Sequence, residues 1–155
     1  LLIGVGGSDR GRSVRSGLDD LPPEARIVVI HDAARPLVLD QTIDAVIAAA
    51  RNGTGAIAAL PQVDTLKRVG EDGRIIETVD RTGLWRAQTP QAFPRDMIDE
   101  VTRRANREGL SGTDDAALCE HYGHPVVVIP GSERAMKITT EADFARAEAL
   151  SMLTE

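Results

Sequence analysis

Asp32 and Arg35 lie at the end of an apolar run, Arg26-Ile27-Val28-Val29-Ile30, in the stretch His31-Asp32-Ala33-Ala34-Arg35-Pro36. A carboxylate and a guanidinium at the carboxyl end of a strand are the first candidates for chemistry, because open α/β sheets bind ligands there. The same pair could equally be an ion pair that only ties down a loop. A second candidate is Gly6-Gly7-Ser8-Asp9-Arg10-Gly11-Arg12-Ser13, a glycine-rich turn entering a helix, where free N–H groups could meet an anion or nucleotide. It lacks the Lys-Ser or Lys-Thr of a Walker-type loop, and such turns more often serve as simple connections. His31 reads as a structural residue at a strand end, and His121 and His124 lack the spacing and partners of a metal site.

These residues need elements to position them. The run to Ile30 suits a strand buried in a parallel sheet, and Pro36 pushes Arg35 toward an extended conformation, so the chain leaves the sheet there as a loop. Carboxyl ends of parallel strands are where open α/β sheets bind ligands. Before this strand, Val14, Leu18 and Leu21 share one helical face, which Pro22-Pro23 ends. After it, Asp40 reads as the N-cap of a helix with Ile43, Val46, Ile47 and Ala50 inward, closed by Asn52-Gly53. Gly55 to Leu60 is a further apolar strand. The alternation of strand and helix implies an α/β fold on a mostly parallel sheet.

The rhythm then changes. Residues 65–69 and 74–79 flank Gly70-Glu71-Asp72-Gly73 and predict a polar β-hairpin, which is marginal in isolation and needs a surface to lie on. Arg81 to Gln91 continues it as an irregular stretch with the only Trp, a residue that seals core edges but is also enriched at interfaces. Pro94 opens a helix at its first position, with Met97, Ile98, Val101 and Ala105 inward. Thr113 is expected to cap a helix through Ala117, Leu118 and Tyr122. A strand over 125–129 follows, then a final helix capped by Thr139 or Thr140 with Phe144, Ala147 and Leu150 inward.

The 155 residues suit one domain over 1–155. Eighteen Lys and Arg against 24 Asp and Glu give a net charge of −6 without a basic block, which argues against nucleic-acid binding. The single cysteine, Cys119, reads as core. No apolar run approaches the roughly 20 residues that span a bilayer, and no signal peptide is visible, so no membrane association and a cytoplasmic location are expected. Leu1 to Val5 reads as a strand already under way with no Met or turn before it, so the expectation is an N-terminally incomplete domain.

His31-Asp32-Ala33-Ala34-Arg35-Pro36, Asp64-Thr65-Leu66-Lys67, the stretch from Asp80-Arg81-Thr82-Gly83-Leu84-Trp85 to Thr89-Pro90-Gln91, and Met136-Lys137-Ile138-Thr139 occur in this order. Together they resemble the 2-C-methyl-D-erythritol 4-phosphate cytidylyltransferase family of non-mevalonate isoprenoid biosynthesis, over essentially the whole chain. The resemblance implies a Rossmann-like nucleotidyltransferase sheet with a protruding hairpin arm over about 64–91. It implies cytidylyl transfer from CTP to methylerythritol phosphate, with a divalent cation such as Mg²⁺. By position it places Gly7 and Ser13 near the cytosine, Asp32 at the reacting phosphates and metal, Arg35 and Thr65 around methylerythritol phosphate, and Lys137 at the active centre. Arg81 and Thr89 match positions on an arm that reaches the neighbouring subunit of a homodimer. The family's opening strand and triphosphate loop have no counterpart here, so the polypeptide from Leu1 is expected to be inactive by itself. Ser8 stands where the family often has Asp.

In that reaction two anions must meet, so catalysis is chiefly positioning and charge stabilisation. Arg35 can grip a phosphate, Lys137 supplies a compact cation and Asp32 can help hold Mg²⁺. Two other readings remain open at this point: a cytidylyltransferase for another polyol phosphate such as ribitol 5-phosphate, and a non-catalytic dimerisation module in which Asp32 and Arg35 are only structural.

Overall fold

A computed structural model describes residues 4–152. The elements follow as α1 (Arg10–Asp19), β1 (Ile27–Ile30), α2 (Asp40–Arg51), β2 (Gly55–Pro61), β3 (Leu66–Val69), β4 (Ile75–Val79), β5 (Trp85–Pro94), α3 (Arg95–Glu108), α4 (Asp115–His121), β6 (Val126–Pro130), a 3-10 turn (Glu133–Ala135) and α5 (Glu141–Ser151). The strand read over residues 1–5 falls mostly outside the described residues, and Gly4 and Val5 are irregular.

The fold is α/β, with a four-stranded sheet in the order β1-β5-β2-β6. The expectation of a mostly parallel sheet is corrected: β5 is antiparallel to both β1 and β2, and only β2 and β6 pair in parallel. The alternation of β1, α2 and β2 does set those strands in one direction, but β5 runs back between them. Hydrophobic periodicity marks a strand without marking its direction, so the sequence could not show this.

β5 also corrects the irregular stretch read over 81–91. From Gln88 onward it is buried until Phe93, and it forms the centre of the sheet. Pro90 and the polar Gln88, Thr89 and Gln91 disguised it, since prolines and amides are unusual in central strands. The register shows why they are tolerated. Ile57 faces Gln91 and Ala59 faces Ala87, so Gln88, Thr89 and Pro90 stand opposite Ala58 alone and bulge from the ladder.

Alternate strand positions feed two cores. Ala56 and Ala92 pack with Val46 and Ala50 of α2 on one face. Val28, Ile57 and Phe93 pack on the other with Leu18 of α1, Met97, Ile98 and Val101 of α3, and Ala116 and Cys119 of α4. The inward face read for α3 is the one observed. Burial pushes the Cys119 thiol up to about 12, with nearby Asp115 adding to the effect.

Helix ends shift by a residue from several expectations. Leu39, with extended backbone, precedes α2, and Asp40 sits in the first turn, where its charge suits the helix dipole. Pro94 flanks α3 as its N-cap. Asp114, not Thr113, caps α4, its carboxylate accepting the Ala117 N–H at 2.9 Å. Thr140 caps α5 in a reciprocal box with Asp143. Phe144 is 65% exposed rather than inward. Only Ala147 of α5 is buried, because the helix packs chiefly against the 3-10 turn instead of the sheet.

The β3–β4 hairpin is a separate two-stranded sheet, as expected. It is shorter than the arm expected over 64–91, because residues from Trp85 onward belong to the main sheet.

Candidate functional site

β1, β2 and β6 end on one edge of the sheet, and the amino-terminal half of β5 lies on that same edge. Just beyond Ile30 the chain turns, with the Arg35 N–H donating to the Asp32 carbonyl at 2.9 Å. The turn presents both side chains to the loop that follows β6, where Ile138 N–H donates to the Ala34 carbonyl at 2.8 Å. Two loops far apart in sequence are thereby clipped together.

Their charges converge on one oxygen. Lys137 Nζ is 3.2 Å and Arg35 Nε 3.4 Å from Asp32 Oδ2. The Arg35 Nη1 group also donates to the Ala135 carbonyl at 2.7 Å, which fixes the plane of the guanidinium. Burial alone would push the Asp32 carboxyl up, but the hydrogen bond and charge of Lys137, joined by Arg35, outweigh it and hold the pKa below the ordinary value. Asp32 is therefore a carboxylate at neutral pH. Lys137, about half exposed, keeps its ammonium open to solvent and to an incoming anion.

Thr89 joins this cluster from within the same chain. Its hydroxyl accepts the Asp32 N–H at 2.9 Å and bonds His31 Nδ1 at 3.0 Å, and it is 5% exposed. The expected placement of Thr89 on an arm reaching a neighbour is thus corrected, because the bulge of β5 turns it toward the end of β1. His31 Nε2 lies 3.1 Å from the Arg35 carbonyl. A carbonyl only accepts, so Nε2 donates to it, while Nδ1 and the Thr89 hydroxyl share the second hydrogen bond. His31, read from sequence as a strand-end residue, ties together both ends of the Asp32–Arg35 turn.

The other sequence-predicted residues lie around this centre. Gly7 and Ser13 meet each other: the Gly7 N–H donates to Ser13 Oγ at 3.0 Å, and that hydroxyl donates to the Asp9 carbonyl at 3.0 Å. Asp9 caps α1 through the Arg12 N–H, so the glycine-rich turn is a helix entrance with its geometry set by its own side chains. Thr65 and Arg81 are exposed, at the foot of the hairpin and in the turn after it, and no hydrogen bond or ion pair ties either to Asp32, Arg35 or Lys137 among the described residues.

Sequence reasoning missed Arg10 and Asp115. Arg10 Nη2 bonds the buried Asp115 carboxylate at 2.5 Å, and the Asp115 hydrogen bond, followed by the charges of Asp115, Asp32 and Asp114, raises the Arg10 pKa. Arg10 therefore links the glycine-rich turn electrostatically to Asp32. It also missed Gln91, which donates to Asp114 Oδ2 at 2.8 Å and accepts the Ala116 N–H at 3.3 Å, fixing the start of α4. The available signal was the run of polar residues between hydrophobic ones at 88–91, since buried amides must find partners.

A family model described as 2-C-methyl-D-erythritol 4-phosphate cytidylyltransferase matches residues 1–153. A protein of that description from Salinibacter ruber is 47% identical over 145 residues, covering 94% of this chain and 60% of the relative. A bifunctional enzyme IspD/IspF from Rhodospirillum rubrum is 52% identical over 146 residues, covering 94% of this chain and 37% of the relative. The crystal structure of 2-C-methyl-D-erythritol 4-phosphate cytidylyltransferase from Thermus thermophilus superposes with a TM-score of 0.88 at 35% identity, covering 96% of this chain and 71% of that one. The chain thus spans 60% and 63% of the length of two curated single-enzyme relatives.

Proposed function

Because the chain belongs to the 2-C-methyl-D-erythritol 4-phosphate cytidylyltransferase family, we propose that it serves the transfer of a cytidylyl group from CTP to 2-C-methyl-D-erythritol 4-phosphate, with release of pyrophosphate, in isoprenoid biosynthesis. The observation that carries the reading to this chain's own residues is the placement of Asp32 between Arg35 and Lys137 at the carboxyl edge of the sheet. An oxygen of the acceptor phosphate attacks the α-phosphorus of CTP, the bond to the bridging oxygen breaks, and pyrophosphate leaves with the electron pair. Arg35 grips the acceptor phosphate with its fork, held in plane by the Ala135 carbonyl. Lys137 places a cation where negative charge spreads over the oxygens of the transition state. Before substrate arrives, Asp32 keeps both cations in place, so little reorganisation is required. Gly7 and Ser13 contact the base, and Thr65 lies on the acceptor side.

Asp32 suits Mg²⁺ as a protein ligand. No cluster of three or more metal-ligating side chains exists among the described residues, but Mg²⁺ is commonly held by one or two carboxylates together with substrate phosphates and water. Bound there, it would neutralise the phosphate charge that Arg35 and Lys137 leave uncompensated.

A homodimer through the hairpin belongs to the same proposal. Val69, Ile75 and Ile76 are 52%, 62% and 66% exposed on a two-stranded sheet that is marginal without support. A second copy would cover them and bring Arg81 toward the neighbouring site. No described helix is long and apolar enough to cross a membrane. A cytoplasmic setting follows from the substrates, whose phosphate charges keep them on that side.

Acceptor specificity is the direct test. Pyrophosphate release should accompany methylerythritol phosphate with CTP and Mg²⁺ in the intact protein, and ribitol 5-phosphate should support far less. Preference for ribitol 5-phosphate would reassign the acceptor. Turnover with neither would favour a non-catalytic module.

A further inference from the structure

Thr89 of β5 holds the Asp32 loop and Gln91 holds the start of α4, and Gln88 is the third buried polar side chain in that run. It is 7% exposed. Its Oε1 accepts the Ser132 N–H at 3.3 Å, and its Nε2 donates to the Ser132 carbonyl at 3.0 Å and, at longer range, to the Ala135 carbonyl at 3.5 Å. One amide thus spans the loop between β6 and Lys137. The Ala135 carbonyl is also the acceptor that fixes Arg35. A second side-chain tie from β5 to this loop, Arg86 to Glu133 at 2.6 Å, is solvent-exposed and therefore weak.

Gly131 shows how closely the chain accommodates this amide. A Cβ built there would stand 2.3 Å from Gln88 Oε1, while the nearest backbone atoms of Ala59 lie at 3.2 and 3.3 Å. Gly131 is not in the left-handed region, so its backbone conformation does not demand glycine. The closest obstacle to a side chain there is Gln88, with the Ala59 backbone next.

We propose that Gln88 is a positioning residue for Lys137, setting the 131–137 loop so that the ammonium meets Asp32 and the reacting phosphates. The inference rests on the catalytic reading of Lys137. Gln88 touches no substrate in it; it acts through the loop.

The test is a kinetic double-mutant cycle in the intact protein with CTP, methylerythritol phosphate and Mg²⁺. Gln88→Leu should lower kcat on the order of tenfold while leaving KM for CTP within about twofold. In a Lys137→Ala background the same change should lower kcat no further. An equal loss in both backgrounds, or no loss in the first, would overturn the proposal. Gly131→Ala provides the second arm, because its methyl meets the end of the Gln88 side chain more closely than any backbone atom. It should reproduce the loss seen with Gln88→Leu and add less to Gln88→Ala, where only the Ala59 backbone contacts at 3.2 and 3.3 Å remain. Crystal structures of Gln88→Leu or Gly131→Ala decide independently of turnover. Separation of Lys137 Nζ from Asp32 Oδ2 beyond about 4 Å is expected, and retention of the 3.2 Å contact in both variants would refute it. If the unsubstituted protein turns over neither acceptor, the functional reading fails, while the structural comparison still judges what Gln88 holds.

Discussion

Asp143 extends the account of the Lys137 loop by a few residues. Its Oδ2 accepts the Thr139 N–H at 3.1 Å, the Thr139 hydroxyl at 2.9 Å and the Thr140 N–H at 3.0 Å. The backbone hydrogen bond from Thr139 is the largest of the influences that push its carboxyl down to about 2 from 3.8. A carboxyl depressed in the folded state stabilises the fold fully above its unfolded pKa and loses that contribution as pH falls through the folded value. Acidification from about pH 4 toward pH 2 should therefore release the start of α5, which closes the segment carrying Lys137. Carboxyl NMR should give a midpoint for Asp143 near 2, and Asp143→Asn should flatten the loss of stability across that window. An Asp143 midpoint at the ordinary carboxylate value would contradict this description of the cap.

At the scale of elements, the β3–β4 hairpin and β5 behave oppositely toward the sequence. The hairpin was legible because two short polar runs around a Gly-containing turn have few other solutions. Its exposed Ile75 and Ile76 then give a clear expectation: replacing both with Lys should convert a dimer to monomer in sedimentation, with the unfolding of the main sheet little changed. A monomeric unsubstituted protein, or a dimer indifferent to both changes, would place the interface elsewhere. β5 was not legible, because Pro90 and three polar residues mark a loop by every local rule. Their burial makes sense only when their distant partners are known. Gln88 answers the 131–135 loop, Thr89 answers Asp32 and His31, and Gln91 answers Asp114 and Ala116. The same limit applies to α5, where local spacing placed Phe144 inward although it is 65% exposed among the described residues.

For the whole molecule, the candidate site was read as residues before it could be read as a place. Asp32 and Arg35 stood out by charge at the end of an apolar strand, whereas Lys137 entered only through resemblance, since nothing local distinguishes it from a surface lysine. The fold brings the three together by clipping the loop after β1 to the loop after β6, with β5 supporting both from below. Arg10 and Asp115 add a link from the first helix that local sequence did not reveal. The central claim is that this cluster is where cytidylyl transfer takes place. Its most direct measurement is the single-turnover rate of pyrophosphate release from CTP with methylerythritol phosphate and Mg²⁺, compared between the intact protein and its Lys137→Ala variant. Because Lys137 is about half exposed and supports little core, the melting temperature should stay nearly constant while the rate falls on the order of a hundredfold or more. An unchanged rate in a properly folded Lys137→Ala protein would contradict the assignment of the site.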